Sequence, residues 1–192
     1  MDTDSAPDSA PDSAQFELKD LTGLFFTDQS DLGEFTKVRG GDVIEPQRSL
    51  LDHDFHMTVT LEKFHSSAVD VDVLQTRVDG NRYARKILLT RQSDDQVVQF
   101  GIVRLNFDLI KPEVVSEIRA HETPLGRILI NHDVMRRVKL LTLYEIKCGD
   151  ELTQAFGAGG TGKKVGDKVY GRTALIYLDD SPAIELLEIV TV

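Results

Sequence analysis

The stretch VDVDVLQTRVDGNRYARKILLTRQSDDQVVQFGIVRLN, residues 69–106, decides the fold class of this chain. Val69, Val71 and Val73 alternate with Asp70, Asp72 and Leu74, the period-two pattern of a half-exposed strand. Asp79-Gly80 is a hairpin turn signal. Arg82 to Arg91 and Gln96 to Asn106 read as two further strands, joined through the polar Gln92-Ser93-Asp94-Asp95. Such tight connections imply antiparallel pairing, because a parallel pair needs a long crossover.

Beyond this stretch, Pro112 suits the first turn of a helix, and Glu113 to Ala120 follows as a short one. Thr123-Pro124 is a second start signal, with Leu125, Ile128 and Leu129 forming a helical face up to Asn131. Met135 to Lys147 alternates as a strand, and Glu151 to Phe156 reads as a helical turn. Residues 157–168 form a glycine-rich loop. Val169 to Leu178 and Ala183 to Val192 make a final hairpin across Asp179-Asp180-Ser181-Pro182. On the N-terminal side, the apolar spacing from Arg48 to Phe64 predicts a helix that breaks up around Met57 to Thr60. The stretch from Phe16 to Gly41 takes no assignment, although Leu24, Phe25, Phe26 and Phe35 would cap an edge of the core. The expected fold is α+β, a single antiparallel sheet of about six strands with short helices packed on one side over a buried ligand pocket.

The 192 residues suit one domain, spanning 16–192. Residues 1–15 precede it as an acidic low-complexity tail, because the repeated Asp-Ser-Ala-Pro has no large apolar side chain to bury and is expected to be disordered. The net charge of −10 argues against nucleic acid and against an anionic membrane as partners, and its plain meaning is solubility. An anionic ligand would need local arginines to reverse that field. The single cysteine, Cys148, excludes an intrachain disulfide and a thiolate zinc cluster. No apolar run approaches the roughly 18 residues of a membrane span, and no secretion signal opens the chain, so a cytoplasmic location is expected.

The sharpest chemical clue is charge on an apolar face. One strand row reads Tyr83, Arg85, Ile87, Leu89; another reads Ile184, Leu186, Glu188, Val190, Val192. Burying either lone charge would be costly. The rows are therefore compatible with a buried Arg-Glu pair or with a strand facing solvent. They are equally compatible with a pocket that holds an anion on Arg85 and keeps Glu188 poorly solvated, as a general acid requires.

Three motifs in this order resemble the chorismate pyruvate-lyases, which convert chorismate into 4-hydroxybenzoate and pyruvate. They are Tyr83-Ala84-Arg85-Lys86-Ile87-Leu88-Leu89, then Thr123-Pro124-Leu125-Gly126-Arg127, then Gly171-Arg172-Thr173 followed by Glu185-Leu186-Leu187-Glu188-Ile189. The resemblance runs from about Leu51 to Val192 and is nearer to a divergent branch of the family. It implies that Arg85 holds the ring carboxylate by a charge-assisted contact. It implies that the backbone N–H of Leu125, with Gly126 beside it at the helix start, meets the oxygen that becomes the product hydroxyl. It assigns Met57 a backbone contact from the lid side and Glu188 the role of general acid and base. Counted from Pro182, Glu188 lies one residue beyond the family's glutamate; a bulge would absorb this, and Glu185 is the fallback. The implied chemistry needs neither metal nor other cofactor, because elimination is driven by aromatisation once the diacid is oriented and water excluded.

Other signals take plainer readings. Gly157 to Lys164 imitates a phosphate-binding loop, but Lys164 replaces the required Ser/Thr and no buried strand leads in, so it reads as a mobile loop that could act as a lid. His53 and His56 have spacing for shared metal ligation but no third ligand, and read as solvent-facing. Cys148 has no partner base, Arg136 and Arg137 read as a solvated strand end, and Arg104 and Arg172, which could help steer a diacid, read as surface charges. The rival to an enzyme is an effector-sensing domain. Such domains of some bacterial transcription regulators share the lyases' fold and bind small carboxylates or sugars without turnover. A DNA-binding helix-turn-helix ahead of the domain would mark that class. The acidic repeat is not one, so the sequence favours the enzyme; whether it works as a monomer or a homodimer stays open.

Overall fold

The computed structural model describes residues 17–134, 136–158 and 162–192. The acidic tail read at 1–15 and the centre of the glycine-rich loop lie outside them. The first half contains α1 (Leu18–Thr22), β1 (Gly33–Val38), α2 (Gln47–Leu51), α3 (Met57–His65), β2 (Val69–Asp79), β3 (Arg82–Arg91) and β4 (Val97–Asn106). The second half contains α4 (Pro112–Ala120), α5 (Leu125–Asn131), β5 (Arg136–Cys148), α6 (Asp150–Ala158), β6 (Lys168–Leu178) and β7 (Ser181–Val190).

The strands form one open antiparallel sheet in the order β1-β5-β6-β7-β4-β3-β2. It consists of two meanders, β2-β3-β4 and β5-β6-β7, that meet where β4 pairs with β7. Helices α4 and α5 connect them and pack against that central seam, with Val114, Ile118, Ile128 and Leu129 buried against Val103, Leu105, Ile184 and Leu186.

The sheet has seven strands rather than about six, the extra one being β1. Only six residues long and mostly polar, β1 has no clear alternation; pairing with β5 forms it, and Phe35 meets Tyr144 edge-to-face at 5.7 Å. Helices also cover both faces, not one. On the front face lie α2, α3, α4 and α5; on the back, Leu21 of α1 and Leu152, Ala155 and Phe156 of α6 pack on Phe100, Ile102, Leu187 and Ile189. The near-continuous burial of β3, β4, β6 and β7 is the physical reason, since a strand covered on both sides loses its polar alternation.

The helix predicted from Arg48 to Phe64 does break, but at 52–56 instead of Met57 to Thr60. The β-branched Thr58, Val59 and Thr60 cost a helix only tenths of a kcal/mol each, up to about 0.7, and they stay helical. The interruption falls at Asp52-His53-Asp54-Phe55-His56, where the front face of the sheet captures the backbone.

Candidate functional site

The front-face core is divided. One apolar cluster gathers around α4 and α5 and another around Met57 and Leu61 of α3. Between them lies a partly open cavity, with about 500 Å³ of space between atoms when its opening to solvent is counted. Arg85, Glu188, Leu125, Gly126 and Met57, each singled out in the sequence, all line it. Two helix starts converge there, since α3 begins at Met57 and α5 at Leu125. Gly126 allows this approach, because a Cβ there would sit 2.7 Å from Thr58 Oγ1.

Sheet register places the charges. Arg85 pairs with Val103, which pairs with Leu186; one step along, Ile87 pairs with Gly101, Gly101 with Glu188, and Glu188 with Arg172. The extra residue counted from Pro182 is accommodated by a register shift. Ile176 pairs with Ile184 while Tyr177 pairs with Pro182, leaving Ala183 unopposed. Glu188 consequently faces the cavity. Glu185 is on the back face, ion-paired with Arg104.

Arg172 was read as a surface charge; it is fully buried, and this is the main correction to the sequence reading. Its Nε donates to Glu188 Oε2 at 2.7 Å. Its Nη1 donates to the carbonyls of His53 (2.7 Å) and Leu51 (3.3 Å), and its Nη2 to that of Phe55 (3.0 Å). One sheet arginine thus gathers the loop over the cavity, and Asp54 Oδ1 adds a second tether by accepting from Leu140 N at 2.7 Å. Glu188 therefore does have a partner, and that partner is Arg172, not Arg85. Two signals for Arg172 lay in the sequence: the Gly171-Arg172-Thr173 match, and a row of Tyr170, Ala174 and Ile176 as apolar as the rows of Arg85 and Glu188.

Arg85 differs. It is 1% exposed, makes one long hydrogen bond to Ile118 O (3.4 Å), and has an unpartnered Nε. No ion pair reaches it among the described residues, and burial pushes its guanidinium below the ordinary arginine value, though an arginine stays charged. Tyr83, in the same row, turns its hydroxyl to His121 Nε2 at 2.7 Å.

Neither His53 nor His56 faces open solvent as expected. His53 is half-buried against Arg172, with Nδ1 accepting from Phe55 N at 3.1 Å; burial, then the arginine, lowers its pKa. His56 lines the cavity. The loop over the cavity is 52–56; none of the described residues of the glycine-rich loop lines it. Cys148 is buried, which pushes its thiol up and away from nucleophile chemistry. No helix is long and apolar enough to cross a membrane among the described residues.

By sequence, neither a protein-family model nor a curated protein matches the chain. Solved structures do. PhnF from Mycobacterium smegmatis matches at TM-score 0.53 with 12% identity, over 70% of this chain and 63% of PhnF, so the chain spans less than two thirds of that protein. The effector domain of PhnF matches at TM-score 0.48 and 12% identity, covering 71% of this chain and 87% of the domain. The ligand-binding domain assigned to a GntR-family transcriptional regulator of Bordetella bronchiseptica matches at TM-score 0.49 and 13% identity, covering 64% of this chain and 85% of that one. At such identities the likeness is one of fold, and the chain has the α+β fold common to chorismate lyases and the effector domains of these regulators.

Proposed function

We propose that the chain binds a small monocarboxylate in the front-face cavity, as an effector-type domain. The observation that carries this is Arg85, a buried guanidinium in the cavity wall with no acidic partner among the described residues. A buried charge is retained at such cost only where something pairs with it. The charged side chains lining the cavity are Arg85, Arg172 and Glu188, which leaves one formal positive charge uncompensated once Arg172 and Glu188 pair. That balance suits one carboxylate.

A second reading, elimination of pyruvate from chorismate, is favoured by one observation: Glu188 shares the cavity with Arg85, Leu125, Gly126 and Met57. In that reaction the ring loses the proton beside its hydroxyl, the enolpyruvyl ether C–O bond breaks, and the departing enolpyruvate takes a proton. Glu188 would relay the proton, and Arg172 would be a positioning residue that orients its carboxylate. The dianionic substrate would bring a second carboxylate to a cavity with one spare positive charge.

Calorimetric titration with benzoate, alongside incubation with chorismate, separates these readings. Benzoate binding without 4-hydroxybenzoate absorbance or pyruvate release is the expected result. Pyruvate release that is abolished by Glu188→Gln and untouched by Glu185→Gln would establish the lyase instead. Failure of benzoate and of its hydroxy- and amino-substituted forms alike to bind, or equal binding by Arg85→Met, would remove the carboxylate reading.

A further inference from the structure

Among the described residues lining the cavity, two buried side-chain atoms lack a hydrogen-bond partner: Arg85 Nε and Gln99 Oε1. Arg85 is accounted for by an anion. Gln99 is not. It lies on the front face of β4, 4% exposed, with Leu89 and Val190 as its cross-strand neighbours. Both neighbours are apolar, and among the described residues nothing donates to its amide oxygen. A buried orphaned amide oxygen is destabilising, and native interiors keep few of them.

The register gives the spacing between the two orphans. Val103, opposite Arg85, is four residues along β4 from Gln99. At about 3.3 Å per residue and 4.8 Å between strands, the Cα atoms are roughly 14 Å apart. Arginine and glutamine side chains extended toward each other across that separation would leave room for about one ring. Gly101 keeps the floor between them open, since a Cβ there would lie 3.2 Å from Ile87 Cδ1 and 3.3 Å from Gln99 Nε2.

We propose that Gln99 determines ligand specificity, its amide oxygen accepting a hydrogen bond from a hydroxyl or amino group at the end of the ligand remote from the carboxylate on Arg85. The ligand class is then hydroxy- or amino-substituted monocarboxylates of single-ring size. This rests on the carboxylate-binding reading and names what that reading leaves open. A ligand with a donor pairs an oxygen otherwise left unmet, which favours it by roughly tenfold or more.

The test is calorimetry with benzoate, 3-hydroxybenzoate, 4-hydroxybenzoate and 4-aminobenzoate on the wild-type protein, Gln99→Met and Arg85→Met. The wild type should bind at least one donor-bearing compound about tenfold or more tightly than benzoate. Gln99→Met should erase that advantage, and Arg85→Met should weaken all four. A cooperative thermal transition shows that Gln99→Met is folded; Gln99→Leu provides the same readout if methionine does not fit. The proposal is overturned if no substituted compound outbinds benzoate on the wild type, or if the preference survives in Gln99→Met. No binding of any of the four by the wild type would overturn the carboxylate reading and this proposal together.

Discussion

Replacing each of the two buried arginines by methionine should shift stability in opposite directions. Both side chains are essentially inaccessible, at 1% exposure for Arg85 and 0% for Arg172. Methionine keeps an unbranched chain of similar reach and removes the charge and donors. At position 85 the guanidinium makes one 3.4 Å hydrogen bond and no ion pair among the described residues. Removing it relieves a desolvation penalty with little to offset, and the ligand-free protein should gain about 1–3 kcal/mol. For a domain of this size that is a rise in melting temperature of roughly 2–12 °C. At position 172 the same change strands the Glu188 carboxylate and frees the carbonyls of Leu51, His53 and Phe55. Stranding one member of a buried pair costs about 3–5 kcal/mol, a fall of roughly 6–20 °C. Thermal denaturation followed by circular dichroism, without ligand and at neutral pH, measures both. Should Arg85→Met prove as damaging as Arg172→Met, Arg85 would be part of the structural framework, and a cavity poised for an anion would have no basis.

Gly126→Ala should destabilise the protein by about 1–3 kcal/mol and weaken benzoate binding, because the new Cβ must push α5 away from Thr58 at the cavity rim; a melting temperature equal to wild type would refute the close approach. His53 and His65 are both lowered from the ordinary histidine value, by burial first and then by Arg172 and Arg91. The unfolded chain therefore binds these protons more tightly, so the stability they contribute is present above about pH 6.5 and lost as the pH falls through the folded values. Melting temperature measured from about pH 8 to about pH 5 should fall, and the His53→Gln/His65→Gln variant should show a shallower fall; identical slopes would refute it.

The antiparallel sheet was legible in residues 69–106 because side-chain alternation and turn chemistry are local. The same logic marked Arg85 and Glu188 as charges misplaced on greasy rows, and both line one cavity. Local pattern failed where long-range pairing decides. β1 exists because β5 offers it an edge, and the gap between α2 and α3 exists because a sheet arginine 117 to 121 positions away captures three carbonyls. The sequence marked Glu188 as an anomaly and left Arg172 as a surface charge, and only the register of β6 with β7 made them a pair. That pairing leaves Arg85, among the described residues, without an ion-pair partner, and a glutamine on the neighbouring strand as the second unmet group lining the cavity. Periodicity states which face a side chain takes, whereas whom it meets there depends on register and on which strands come together, and that is a property of the folded chain alone.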